Sequence, residues 1–160
     1  MNRKPDIRLA EQGSKQRLRL WLRLLAVTRK IEAELRDRMR TEFDSTLPRF
    51  DVLAALSRHE QGLRMSALSG VLRVSNGNVT GIVDRLAEDG LVVRVPVAGD
   101  RRAMLVRLTA KGAQVFARQA AEHEAWIDAM LAELSPDEAR SYAARLRTLA
   151  QRLDDKGATE

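Results

Sequence analysis

The sequence predicts a mainly α-helical fold with one small β-hairpin. Apolar residues recur at helical spacing in long segments near both ends of the chain. Two shorter helical patterns flank a turn near the middle, and a β-branched run, a turn and a returning strand follow them. At 160 residues and 44% hydrophobic content, the chain fits one domain with extensions.

The composition excludes several classes of protein. No apolar run approaches the ~18 residues that cross a bilayer, and the N-terminus has no apolar middle of the kind found in secretory signals. Without cysteine the chain forms no disulfide, thiol switch or Cys-ligated zinc site. We therefore expect a cytoplasmic protein with no membrane partner.

The first helix is predicted from Ser14 to about Phe43, after a flexible segment 1–13. Its apolar residues form two neighbouring stripes, so the helix is apolar on more than one face. The stripes consist of Leu20, Leu24, Val27, Ile31 and Leu35, and of Leu18, Trp21, Leu22 and Leu25. One small domain can hardly bury such a helix all round, so we expect a second subunit to cover one face.

Three shorter helices follow. Thr46 and Pro48 begin the first, which ends near Arg58 before Gly62. The second covers 65–72, and a turn at 73–74 leads to a third that Ser75 caps. The third helix buries Val79, Ile82, Val83 and Leu86 and ends at Asp89-Gly90.

The hairpin and two long helices complete the chain. Leu91–Val95 is a predicted strand, 96–100 a turn and Ala103–Leu108 the returning strand. Thr109 caps a helix to about Leu134, and Ser135 begins another. Apolar residues at spacings of 4, 3 and 4 mark that last helix: Tyr142, Leu146, Leu149 and Leu153. The tail 155–160 is expected to be flexible.

This order of elements is a winged helix-turn-helix, which holds duplex DNA. The first turns of a recognition helix face base edges, where Asn can read adenine and Ser or Thr can bond bases or phosphates. We expect DNA contacts from Ser75, Asn76, Asn78, Thr80 and Arg85 on the helix and from Asp100, Arg101 and Arg102 in the wing. Ser75 can equally be a plain cap. Asp84 would be repelled by phosphate, so we expect it to pair with a neighbouring arginine.

Two glycines inside the recognition helix leave two interpretations open. Gly77 and Gly81 each cost roughly 1 kcal/mol of helix propensity relative to alanine. They either let the helix backbone approach DNA closely or keep the helix flexible until it binds DNA.

The chain resembles the MarR family of winged-helix transcriptional regulators over about residues 15–154. The matching positions are Leu68, Leu72, Ser75, Val79, Thr80, Val83, Asp84, Leu86, Gly90, Leu91, Val92, Arg94, Asp100, Arg101, Arg102, Leu108, Thr109 and Gly112. The resemblance implies a homodimer that binds a near-palindromic operator, with Arg102 in the minor groove and Asp100 orienting it. It also implies a small-molecule effector. Many members have an arginine where this chain has Gly81.

Narrower segments resemble the branch that responds to hydroxycinnamoyl-CoA thioesters and controls aromatic acid degradation. They are 20–25, 46–51, 77–81 and 123–126. The resemblance implies an effector such as p-coumaroyl-CoA, feruloyl-CoA or another aryl-CoA. Candidate effector contacts are Trp21, Arg29, Phe50, His59, His123 and Trp126. Trp21 and Trp126 can equally be core or dimer residues.

The basic charge is concentrated outside the winged helix. Residues 1–40 hold 12 Lys and Arg against 5 Asp and Glu, a net of +7, whereas residues 41–160 have a net of −1. This segment is either a solvated basic face or a surface that meets a polyanion, such as flanking phosphates or an anionic effector.

The predicted organisation has two functional regions. Residues 14–45 and 110–154 form a helical dimerisation region, and 46–109 form the DNA-binding region. We expect a repressor with no cofactor, catalytic residue or metal site. His59-Glu60 and His123-Glu124 lack the second histidine of a helical zinc motif, which argues against an enzyme.

Three alternatives remain: a regulator that responds to a free phenolic acid or other small aromatic, a ligand-independent DNA binder, and a winged helix that binds protein. The operator sequence, target genes, effector and direction of regulation are left open.

Overall fold

The structure, a computed structural model, describes residues 7–72, 76–97 and 100–157, and the side chains of 12–72, 78–97, 100 and 103–155. Residues 1–123 and 124–160 form two compact units. The described residues form six α-helices and three strands. These are α1 (Ile7–Phe43), α2 (Leu47–Ser57), β1 (Leu63–Arg64), α3 (Met65–Leu72), α4 (Asn76–Glu88), β2 (Val92–Val97), β3 (Asp100–Leu108), α5 (Ala110–Met130) and α6 (Pro136–Gly157). The predicted mainly helical fold with a β wing is confirmed.

Helix α1 begins at Ile7, inside the segment 1–13 that the sequence predicted to be flexible. The residues that extend it include leucine, alanine and glutamate, which are strong helix formers. The helix ends where Asp44 adopts a φ of 47°, a conformation that Asp tolerates better than most residues. The backbone N–H of Ser45 then donates to the carbonyl of Met39 at 3.1 Å.

The core of the first unit lies between α2, α3, α4 and the sheet. Its central side chains are at most 1% exposed: Val52, Leu53, Leu56, Leu68, Val79, Val83, Leu86 and Val106. Each fully buried side chain of this kind stabilises the fold by about 1.5–3 kcal/mol. Thr46 caps α2 as predicted, since its hydroxyl accepts from the backbone N–H of Arg49 at 3.4 Å.

The wing is a three-stranded antiparallel sheet in the order β1-β3-β2. The sequence predicted the two longer strands but missed β1, because two residues show no periodicity and pair with partners far along the chain. Strand β2 continues through Pro96 to Val97, with a register shift between these two residues. Pro96, Val97 and Asp100, which the sequence predicted to lie in the turn, therefore belong to the strands.

Two glycines mark places where a side chain cannot fit. Gly62 precedes β1 with a φ of +90°, and a Cβ there would lie 2.7 Å from the carbonyl oxygen of Val106. Gly112, in the first turn of α5, packs so closely that a Cβ would overlap the carbonyl of Leu91. The hydroxyl of Thr109 accepts from the Gly112 backbone N–H at 2.9 Å, which confirms the predicted cap.

Helix α4 ends at the predicted Asp89-Gly90 corner. Gly90 has a φ of 72°, and the N–H groups of Gly90 and Leu91 donate to the carbonyls of Ala87 and Leu86 at 2.9 and 2.8 Å. This pair of bonds is a Schellman motif, in which a glycine in the left-handed region ends a helix.

The second unit contains the end of α5 and all of α6. Helix α5 ends at Met130, before the predicted Leu134, because residues 131–134 form a turn in which the Leu134 N–H donates to the Leu131 carbonyl at 2.9 Å. Ser135 and Glu138 form the predicted capping box. Hydrogen bonds from the Ser135 hydroxyl and backbone lower the pKa of Glu138.

No helix in the described part of the chain is long and apolar enough to cross a membrane.

Replacing Gly112 by alanine should destabilise the fold by about 1–3 kcal/mol, because the added methyl group displaces the Leu91 backbone. The control is Gly70→Ala in α3, where a Cβ meets no protein atom within 4 Å and alanine should stabilise the helix by up to about 1 kcal/mol. Urea unfolding of both variants measures the difference. Equal stability of the two variants would contradict the predicted overlap.

Candidate nucleic-acid interface

Helix α4 has one buried face and one exposed polar face. Val79, Val83 and Leu86 are completely buried against the core, which fixes the rotation of the helix about its axis. Asn78, Thr80, Gly81 and Arg85 are exposed. The buried spacing of 4 and 3 residues therefore determines which polar groups face outward.

The exposed face of α4 has an open strip at its centre. Asn78, Gly81 and Arg85 lie 3 and 4 residues apart, so they share one side of the helix. A Cβ at Gly81 would meet no protein atom within 4 Å, so internal packing does not require this glycine. Ser75 lies outside the described residues, and Asn76 and Gly77 are described as backbone only.

An ion pair joins the recognition helix to the wing. The guanidinium of Arg94 in β2 lies 2.6 Å from the carboxylate of Asp84 in α4, as expected from the sequence. Both side chains are partly exposed, so the pair contributes little to global stability. The pair nevertheless links β2 directly to the outer face of α4.

The wing hairpin places its predicted contacts at the start of β3. Asp100 is exposed and pairs in register with Val97 of β2. The backbones of Arg101 and Arg102 continue β3, and their side chains lie outside the described residues. The sheet thus carries the two arginines on the strand that returns from the wing turn.

The structure brings together two of the predicted effector residues. The rings of Phe50 and His123 stack with centroids 4.7 Å apart. The Phe50 ring also contacts the Phe116 ring, with centroids 5.7 Å apart. Sequence reasoning missed Phe116, although its position seven residues before His123 places both on one face of α5.

His59 lines a cavity of about 430 Å³ between the end of α2 and the start of α5. Phe116 also lines this cavity, so it connects the cavity to the Phe50–His123 stack. The Nδ1 atom of His59 lies 2.9 Å from the carbonyl oxygen of Ala55. Because a carbonyl oxygen can only accept, Nδ1 donates this hydrogen bond.

The other predicted effector residues lie on α1 and in the second unit. Trp21 and Arg29 are exposed on α1, Trp21 by 56%. Trp126 is buried and belongs to the unit 124–160.

The chain matches a family model described as the MarR family over residues 43–103. A MarR family transcriptional regulator from Silicibacter pomeroyi is 31% identical in its crystal structure, with a TM-score of 0.72 over 94% of this chain and 99% of that one. The chain belongs to the MarR family.

Two further relatives connect this MarR-family chain to regulation and DNA. The transcriptional activatory protein BadR of Rhodopseudomonas palustris is 32% identical over 139 residues, 83% of this chain and 74% of BadR. A mutant MarR from E. coli, crystallised with operator DNA, is 25% identical, with a TM-score of 0.73 over 84% of this chain and 95% of that one. The chain is a MarR-type DNA-binding transcriptional regulator, and its family is one of regulators rather than enzymes.

Two titratable groups of this MarR-family chain influence each other beside Phe50. Partial burial lowers the pKa of His123, and the neighbouring Asp51 carboxylate opposes that shift. Partial burial raises the pKa of Asp51, His123 lowers it and Glu32 raises it. His123 is therefore neutral near pH 7. Asp51 was not among the residues that sequence reasoning selected, since a lone carboxylate in an apolar helix carries no distinguishing pattern.

Replacing Gly81 by alanine should stabilise the free protein by about 1 kcal/mol, because the site is open and alanine favours the helix. If the backbone at Gly81 approaches DNA, the same methyl group should weaken operator binding at least about tenfold, or about 1.4 kcal/mol. Urea unfolding and fluorescence anisotropy measure the two effects. A stabilised variant with unchanged operator affinity would instead mean that the glycine softens the helix.

His123→Phe should remove an acid sensitivity. A histidine whose folded pKa lies below its ordinary value contributes stability that is present above about pH 6.5 and is lost as the pH falls. Phenylalanine keeps a ring against Phe50 but cannot take a proton. Between about pH 7.5 and about pH 5.5, the wild type should lose more unfolding free energy than the variant. Parallel losses would show that His123 does not carry this pH dependence.

Proposed function

We propose that this chain is an effector-responsive repressor that binds a near-palindromic operator as a homodimer. The observation that supports it most is the exposed polar face of α4, whose orientation is fixed by Val79 and Val83 and which the Asp84–Arg94 pair links to the wing. Such a unit can insert a helix into the major groove while the wing reaches the adjacent minor groove.

The proposed DNA contacts follow from this arrangement. Asn76, Asn78 and Thr80 read base edges, and Arg85 bonds phosphate from the next turn of α4. In the wing, Arg102 enters the narrow minor groove and Asp100 orients it, while Arg101 contacts the backbone. Ser75 caps the helix and can donate to a phosphate at the same time.

Exposed apolar faces on α1 and α6 support the homodimer. The exposed side chains on α1 are Leu18, Leu20, Trp21, Leu22 and Val27, and those on α6 are Tyr142, Leu146, Leu149 and Leu153. Exposed apolar side chains grouped along a helix are typical of interaction surfaces. We infer that a second copy covers them, with 14–45 and 110–154 as the dimerisation region and 46–109 as the DNA-binding region. The two recognition helices would then lie about 34 Å apart.

For the effector we propose an aryl-CoA thioester, such as p-coumaroyl-CoA or feruloyl-CoA. The half-buried rings of Phe116 and His123, which pack on the buried ring of Phe50, offer surface to an aryl group beside the cavity that His59 lines. Exposed cations along α1 suit a polyphosphate: Lys15, Arg17, Arg19, Arg23, Arg29 and Lys30. Trp21 would add an aryl contact from α1, and Trp126 stays a prediction from the sequence.

Two specific alternatives are tested with the same material. A free phenolic acid needs only the aromatic group and not the basic helix. The relative BadR is described as an activatory protein, so the second alternative is that this chain activates transcription.

The test is operator binding by fluorescence anisotropy, using DNA from upstream of the chain's own coding sequence, with p-coumaroyl-CoA or p-coumarate added. We expect two chains per operator and release by the thioester only. Asn78→Ala and Arg102→Ala should each cost about 1–3 kcal/mol for base contacts, whereas a lost phosphate contact reduces the salt slope by about 1. Arg58→Ala, an exposed arginine at the end of α2, is the control.

Each outcome separates the alternatives. Release by p-coumarate alone points to a phenolic pocket, and tight binding that neither compound changes removes the proposed effector. Unchanged affinity of Arg102→Ala removes the wing from the interface, and one chain per operator contradicts the dimer. Transcription in vitro from the same DNA distinguishes repression from activation.

A further inference from the structure

A second cavity lies between α2, α3 and the recognition helix α4. It has a volume of about 330 Å³ and is lined by Pro48 and Asp51 of α2, Leu72 of α3, and Asn78 and Ile82 of α4. None of these residues lines the cavity that contains His59. The volume is at the small end of the range for small-molecule sites, so the cavity suits a compact ligand rather than a CoA thioester.

The cavity has two polar groups in an otherwise apolar lining. Within the part of the chain that the structure describes, neither the Asp51 carboxylate nor the Asn78 amide makes a hydrogen bond or ion pair. The remaining lining residues, Pro48, Leu72 and Ile82, are apolar. A carboxylate in such surroundings loses part of its hydration without compensation.

The charges near Asp51 do not neutralise it. His123 is the nearby group that can carry a positive charge, but burial lowers its pKa and leaves it neutral near pH 7. Glu32 carries the same charge as Asp51 and raises its pKa. A ligand that complements this lining would carry a positive charge for the carboxylate and an apolar surface for the remaining residues.

We propose that the cavity binds a small hydrophobic molecule with a protonated amine, which pairs with Asp51 while its apolar body packs on Leu72 and Ile82. An anionic ligand is disfavoured here by the carboxylate, so this site selects a chemistry opposite to that of the proposed aryl-CoA effector. The ligand also bonds the Asn78 amide and thereby withdraws it from DNA. This last step rests on the proposed function, whereas binding itself does not.

The experiment uses three probes of similar shape on the full, DNA-free protein: 2-phenylethylamine, neutral 2-phenylethanol and anionic 3-phenylpropanoate. Calorimetric titration should show that the amine binds most tightly. Asp51→Asn should weaken amine binding at least about tenfold. The variant is isosteric, so the fold should be retained. Glu133→Gln, which removes an exposed carboxylate in the second unit, should leave amine binding unchanged. Amine affinity should also fall as the pH drops through the raised pKa of Asp51.

Equal binding of the amine and the alcohol, tighter binding of the anion, or unchanged amine affinity in Asp51→Asn would each overturn the site. Operator anisotropy with and without 2-phenylethylamine tests the link to DNA, and we expect operator affinity to fall in the wild type but not in Asp51→Asn. Equal operator affinity with and without the amine would overturn that link. Loss of operator binding without any amine would instead contradict the proposed function, and the calorimetric result would still decide the site.

Discussion

The backbone corner at Gly90-Leu91 determines how the other elements of the DNA-binding region meet. The Thr109 hydroxyl donates to the Gly90 carbonyl at 2.7 Å, and the Thr109 N–H donates to the Leu91 carbonyl at 3.1 Å. Gly112 packs against the same carbonyl. The end of α4, the start of β2, the end of β3 and the start of α5 therefore converge on two peptide groups. The arrangement depends on the Thr109 hydroxyl and on the absence of a side chain at Gly112 as well as on backbone hydrogen bonds.

Charged side chains strengthen the same corner from outside. Asp89 lies at the end of α4, where Arg49 of α2 pairs with its carboxylate and Lys111 of α5 donates to its carbonyl at 2.8 Å. Cations at a helix C-terminus interact favourably with the helix dipole. Helices α2 and α5, which carry the aromatic group, are thus linked directly to the recognition helix. A shift of either helix on effector binding would reach α4 without an intermediary.

The sequence predicted the parts of the fold that depend on neighbouring residues. The caps at Thr46, Thr109 and Ser135, and the buried face of α4, follow from residues within one or two helical turns, and the structure has them where they were expected. Strand β1 was missed because its pairing with β3 joins residues more than 40 positions apart. The approach of Asp51 to His123 and the contact of Phe50 with Phe116 depend on tertiary packing in the same way, and no local pattern encodes them.

The candidate site divides along the same line. Asn78, Thr80 and Arg85 could be selected from the sequence, because a helix with a known buried face must expose the remainder. The second cavity could not be selected, since it is defined by the space between three helices rather than by any residue type.

Strand β2 lies at the edge of the wing sheet, where unpaired backbone groups can recruit a strand from another molecule. Pro96 offers no N–H for such pairing, and the register shift beside it bends the strand away from a flat ladder. These two backbone features disfavour pairing of the wing with a strand of another molecule, so the wing remains available to contact DNA. The irregularity of this strand is thus a safeguard for solubility as well as a feature of its shape.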